Sequence, residues 1–117
     1  MYNKNRIKTI SLSANIEQEI TMPYSNACIR NNTTGVVYAS VSKNIKPYTD
    51  GVTAIQSGES RVLRDIYNID NGIGTFYVVS NTDGNTDLES ANDVNFKCFS
   101  VNGGETTYDD TAIKAAI

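Results

Sequence analysis

From residue 6 to residue 101 the chain is a succession of short runs mixing apolar and polar residues, each closed by turn formers, with no helical period before residue 109. That rhythm constrains the fold more than any other feature. RIKTISLS (6–13) and NIEQEIT (15–21) open it as two strands. NACIRNN (26–32) passes through the turn Thr33-Thr34-Gly35 into VVYASVS (36–42). Those two runs read as a hairpin, with Ala27 and Ile29 facing the region of Val37 and Ala39 or Tyr38. After a polar loop punctuated by Pro47 and Gly51 come VTAI (52–55), the turn Gln56-Ser57-Gly58-Glu59 and the strand SRVLRDI (60–66). YNIDNGIG reads as a loop, GTFYVVS (74–80) as a strand and NTDGNTDLESAND as a long polar excursion. VNFKCFSV (94–101) is the last strand, with Val94, Phe96 and Cys98 on one face by the period of two.

About eight strands spaced 8–15 residues apart predict an all-β fold, a jelly-roll-like β-sandwich, followed by a short C-terminal helix. In two stacked sheets each strand need be only half apolar, one face turned to the core and one to water. The 117 residues suit one domain, which at this length buries roughly 65% of its extended surface without help from metal or disulfide. The expected division is a β domain over 1–107 and the start of a helix over 108–117.

Charge and composition narrow the partners. The net charge is −3 and the lysines and arginines are scattered, so a nucleic-acid backbone is not an expected partner. No apolar stretch approaches the ~20 residues of a membrane span. The opening MYNKNRIKTISLSANIEQEI lacks the continuous apolar core of a signal peptide, which makes synthesis in a cytoplasm, without general export, the expectation. Cys28 and Cys98 each sit in an apolar strand-like run. There a free thiol behaves as a small core hydrophobe, and a buried pair of free thiols is preferred over a disulfide.

Candidate chemistry is sparse. Histidine is absent, which removes the usual general base and the commonest metal ligand. Neither phosphate-binding, dinucleotide-binding nor nucleophile-elbow patterns occur, and the acidic residues fall mostly in polar loops. No enzyme activity, cofactor or metal site is expected. Asp83-Gly84-Asn85-Thr86-Asp87-Leu88-Glu89 places oxygen ligands at alternate positions like the start of a calcium loop, but Leu88 stands where the glycine is needed and Val94 where the bidentate glutamate is needed. A hairpin loop capping its own turns is the preferred reading. Asn31 and Asn32 each begin an N-x-T pattern, which carries no weight where no signal peptide is expected.

Seven tyrosines and no tryptophan raise the question of sugar stacking. Tyr38 and Tyr77 lie within strands; Tyr24, Tyr48 and Tyr67 lie near turns and are the candidates for sugar contact or protein docking. A second docking mode would add the N-terminal strand MYNKNRIKTISL to a neighbour's sheet edge.

The segment YDDTAIKAAI carries a different signal. Asp109 or Asp110 suits a helix start, and Ile113 and Ile117 stand four apart, the d-to-a step of a heptad. So short a helix is marginal alone, so it reads as the first turns of a coiled coil or as a peptide docked on a neighbour. A helix folded back on its own sandwich is the bland alternative. Tyr108, Ile113 and Ile117 are the candidate oligomerisation residues.

These phrases carry a resemblance. YDDTAIK resembles segments of fibre and tail-appendage proteins of tailed bacteriophages, between a globular domain and a helical stalk. RNNTTGVVYASVS, DGVTAIQSGESRVL and GTFYVVS, in that order, resemble small β domains of phage structural proteins, and the likeness spans about residues 26–117. It implies a virion structural protein, the base of a head fibre or a capsid decoration domain, made in the host bacterial cytoplasm and carried on the particle surface. Its implied partners are a capsid or other virion protein and its own copies, fibres usually being trimeric. A tail or baseplate appendage is the neighbouring reading, and a small carbohydrate-binding module using the loop tyrosines is the alternative from another class.

Overall fold

The computed structural model describes residues 7–68, 73–92 and Phe99. Over these the chain is all-β, with two antiparallel sheets. The strands are β1 (Ile7–Leu12), β2 (Gln18–Met22), β3 (Asn26–Asn31), β4 (Val37–Ser40), β5 (Thr53–Ile55), β6 (Ser60–Leu63), β7 (Tyr67–Asn68), β8 (Ile73–Ser80) and β9 (Gly84–Ala91). Sheet A has the order β1-β9-β3-β6 and sheet B the order β2-β8-β4-β5, with β7 on β8 beyond β4. The last expected strand, 94–101, apart from Phe99, the helix after residue 108, and Tyr108, Ile113 and Ile117 lie outside the described residues.

The sheets share one core. Leu12, Ala27, Ile29 and Leu88 from sheet A meet Ile20, Met22, Val37, Ala39, Ile55, Phe76 and Val78 from sheet B in a single buried cluster. The period of two is plainest in β8, where Gly74, Phe76, Val78 and Ser80 are buried and the residues between them are half-buried. Each large apolar side chain fully buried here, such as Phe76, Ile29 or Leu88, contributes roughly 1.5–3 kcal/mol of hydrophobic stabilisation before entropy is counted.

Two expectations about pairing are corrected. Runs 26–32 and 36–42 do not form a hairpin: β3 lies in sheet A between β9 and β6, and β4 lies in sheet B between β8 and β5. Ala27 and Ile29 still share the core with Val37 and Ala39, but from the opposite sheet. The turn between the runs is a crossover. Asn31 organises it by accepting from the Thr33 amide at 2.7 Å and donating to the Gly35 carbonyl at 2.9 Å.

The second correction concerns the polar excursion. Residues 84–91 are β9, a central strand of sheet A that pairs with β1 on one side and β3 on the other. Its inward positions are Thr86, Leu88 and Ser90, all buried, and two of them are polar, which hid the alternation. Each polar one finds a backbone partner: Thr86 Oγ1 donates to the Arg30 carbonyl at 2.6 Å, and Ser90 Oγ accepts from the Tyr24 amide at 3.1 Å. Satisfied in this way, a hydroxyl costs little to bury.

The edges β1 and β2 are stapled by side chains. Lys8 Nζ donates to the Thr21 carbonyl at 2.9 Å and Gln18 Nε2 to the Ser11 carbonyl at 2.7 Å. Such donors occupy edge acceptors that would otherwise invite another strand. The stretch expected to add to a neighbour's sheet is, over Ile7–Leu12, already paired with β9.

Candidate functional site

Two outer surfaces gather side chains that the core does not use. The first is the outer face of sheet A. Cys28, Arg30, Asp87, Glu89 and Thr9 sit there, brought side by side by the registers Cys28↔Glu89, Arg30↔Asp87 and Thr9↔Asp87. Asp87 accepts from Thr9 Oγ1 at 2.6 Å and pairs with Arg30 Nη2 at 3.0 Å. Partial burial works against its charge, but the hydrogen bonds from Thr9, Asn32 and Arg30 outweigh it and hold the carboxyl below its ordinary value. Phe99 lies over this face: its ring is 4.4 Å from the Arg30 guanidinium carbon, and its amide donates to Glu89 Oε1 at 3.0 Å.

Asn26 and Cys28, on the side of β3 away from the core, are buried as well. The free-thiol expectation is corrected here. Cys28 is disulfide-bonded, and no free cysteine remains among the described residues. The chain's other cysteine, Cys98, lies outside them. Period and hydrophobicity suit a core thiol and a buried half-cystine equally, so the sequence could not separate them.

The calcium-like stretch is folded into this face. Asp83 accepts from the Ala14 amide at 2.8 Å, Asp87 is engaged as above, and the residues between run extended as β9. A strand cannot wrap its side chains around one ion as a loop does. Among the described residues no group of three or more His, Cys, Asp or Glu side chains is placed to hold a metal.

The second surface is the outer face of sheet B. The loop 41–51 folds back over it and is pinned by Glu17, whose two carboxylate oxygens accept from the Asn44 and Ile45 amides at 2.8 Å each. Tyr48, at φ 61°, sets its ring edge-on to Tyr38, with centroids 5.6 Å apart and planes at 84°. The Tyr48 side chain, hydrogen-bonded to Tyr38, and then burial hold the Tyr38 hydroxyl above the ordinary tyrosine value. Between loop and sheet opens a cleft of ≈ 410 Å³, lined by Asn15, Tyr38, Ile45, Pro47, Val79, Ser80 and Asn81. Ile16, next to Asn15 in the chain, and Tyr48 are exposed.

The three candidate tyrosines do not gather in one patch. Tyr67 pairs with Gly74 at the start of β8, and the Tyr24 carbonyl lies close to the same glycine. Tyr48 stands on Tyr38, whose partner on β8 is Val79, about 16 Å further along that strand at ~3.3 Å per residue. Tyr48 is 74% exposed and Tyr67 47%. Asn15 and Asn81, which complete the cleft, drew no attention in the sequence, where Asn15 reads as the start of a strand run and Asn81 as part of a polar loop. A positive φ at Asn15 (63°) is a property of the fold.

No helix among the described residues is long and apolar enough to cross a membrane. No family model, no curated protein and no solved structure matches the chain.

Proposed function

We propose that this chain is a non-enzymatic structural protein of a tailed-bacteriophage virion. Its β domain, a jelly-roll-like sandwich, anchors to or decorates the capsid surface as the base of a head fibre, and the C-terminal helix begins a stalk. The likeness of residues 26–117 to phage structural domains supplies the class. A tail or baseplate position is the alternative within it.

The observation that carries the reading is the disulfide at Cys28. Disulfides persist in oxidising surroundings, virion surfaces among them, and are rare in proteins that stay in a cytosol. Locked loops add support: Glu17 holds 44–45, Asn31 holds the 33–35 turn, Asp83 holds Ala14 and Asn92 holds Ser25. A particle-surface domain needs rigidity and a docking face, and repeated copies then compensate for weak single contacts by avidity.

Light scattering after size exclusion tests the stalk, comparing the full chain with Ile113→Asp/Ile117→Asp. A trimer that becomes a folded monomer in the double variant is the expected result. Immunogold labelling of purified particles of the phage that encodes the chain tests the location. Unlabelled particles would sink the virion assignment.

A further inference from the structure

We propose that the cleft on the outer face of sheet B is a binding site for a neutral pyranose sugar, with Tyr48 as the stacking ring at its rim. This inference stands apart from the virion assignment and rests on a different surface from the stalk.

The lining sets the ligand's chemistry. Asn15, Tyr38, Ile45, Pro47, Val79, Ser80 and Asn81 carry no charge among them, so nothing in the lining balances an anion or a cation. A charged ligand would lose hydration there without gaining a partner. What the cleft offers is apolar surface from Ile45, Pro47 and Val79, a tyrosine on its wall, and two carboxamides at one end. A pyranose presents the complementary pair, an apolar C–H face and a rim of hydroxyls that both donate and accept.

One of the two carboxamides is held by a hydrogen bond, and the other is placed through its backbone. Asn81 Oδ1 accepts from the Val36 amide at 2.9 Å, and the Asn81 amide donates to the Val36 carbonyl at 3.2 Å. The side chain therefore has a set orientation, and its Nδ2 donors meet no partner among the described residues. Asn15 is fixed through its backbone, which donates to the Ser80 carbonyl at 2.7 Å in a left-handed conformation at φ 63°. Its side-chain amide likewise has no partner among the described residues. The Asn81 amide, held so, can donate to sugar hydroxyls with little ordering cost, and the free Asn15 amide beside it can both donate and accept.

Size and access agree. A volume of ≈ 410 Å³ falls within the roughly 300–1,000 Å³ of small-molecule clefts, suiting a mono- or disaccharide. The roof is the loop 41–51, which Glu17 fixes, so the walls exist before any ligand arrives. Tyr48, 74% exposed and edge-on to Tyr38, keeps its ring open to solvent, the arrangement a sugar ring stacks on.

The test is a titration of the isotope-labelled full chain followed by amide and side-chain NH₂ resonances in NMR. The probes are methyl glucopyranoside, methyl galactopyranoside, N-acetylglucosamine and lactose, with glucuronate and inorganic phosphate beside them. The expected result is saturable movement of the Asn15, Asn81, Tyr38 and Tyr48 signals with at least one neutral sugar. Tyr48→Ala and Asn15→Gly, the latter compatible with the positive φ, should each weaken that response by about tenfold or more. Tyr67→Ala, at another exposed tyrosine toward the other end of β8, should leave it unchanged. Three results would overturn the proposal: no movement up to the sugars' solubility limits, movement confined to the Tyr24 and Tyr67 end, or a response to glucuronate or phosphate alone.

Discussion

The side-chain amide of Asn31, on β3 of sheet A, donates to the backbone carbonyl of Ile55, on β5 of sheet B, at 2.8 Å. A hydrogen bond thus crosses the core and ties the two sheets together where each would otherwise present an unpaired group. The same side chain donates to the Gly35 carbonyl and accepts from the Thr33 amide and hydroxyl. It is fully buried, which closes the first N-x-T pattern to any modifying enzyme acting on the folded chain.

Asn31→Ala leaves the Ile55 and Gly35 carbonyls and the Thr33 amide without their buried partner. A loss of about 2–4 kcal/mol is expected, read as a lower midpoint in urea with an unchanged slope. Asn32→Ala, at the exposed neighbouring position, should cost under about 1 kcal/mol. Equal costs would mean that the buried network does not bear on stability.

Gly74 should not accept a side chain. A Cβ there would come within 2.7 Å of the Ile66 side chain and of the Tyr24 carbonyl, and the second is backbone and cannot swing away. Gly74→Ala is expected to destabilise by about 1–3 kcal/mol, measured by thermal melting. An unchanged midpoint would show that the β2–β3 connection yields more readily than its hydrogen bonds suggest.

Asp87 gives an acid-side signature. Its carboxyl is held below its ordinary value of 3.8. Stability from it is therefore fully present above 3.8 and is lost as pH falls through the lower folded value, where the folded chain finally takes the proton. Asp87→Asn should cost about 0.5–1 kcal/mol at neutral pH, the scale of a partly exposed pair. The gap between variant and parent should then close on acidification. A gap independent of pH would assign the effect to packing instead of charge.

Glu17 controls the loop 41–51. In Glu17→Ala the Asn44 and Ile45 amides lose their acceptors, and their hydrogen exchange should quicken while the β8 amides stay protected. The expected cost to global stability is about 1 kcal/mol. Unchanged exchange at both amides would show that Tyr38 and Tyr48 hold the loop without it.

Thiol chemistry checks the first surface. Without reductant, the unfolded chain should show no reactive thiol, and reduction should lower stability by about 2–5 kcal/mol. A free thiol at Cys28 would restore the reading in which it is a plain core residue.

Much of the strand pattern was legible. Seven expected runs contain β1, β3, β4, β5 and β6 and nearly all of β2 and β8, because in each of them turn formers bound a run with apolar residues at inward positions. Gly51 and Gly58, read as turns, have positive φ. β9 was not legible, since Thr86 and Ser90 occupy core positions where the alternation calls for apolar residues. Nor was the cleft, whose two amides are unremarkable until Asn15 meets Ser80 and Asn81 meets Val36.

By itself the sequence determined the secondary-structure class, because strand propensity, period and turn chemistry act between near neighbours. Only the tertiary structure decided which strands share a sheet. Residues 26–32 and 36–42 form equally good strands whether they pair as a hairpin or face each other across a core. The choice falls to contacts made far along the chain: β9 fitting between β1 and β3, and Asn31 finding a carbonyl at Ile55. The two outer surfaces are likewise made by contacts that no local pattern announces, Phe99 with Arg30 and Glu89 on one sheet and Glu17 with the 44–45 amides on the other.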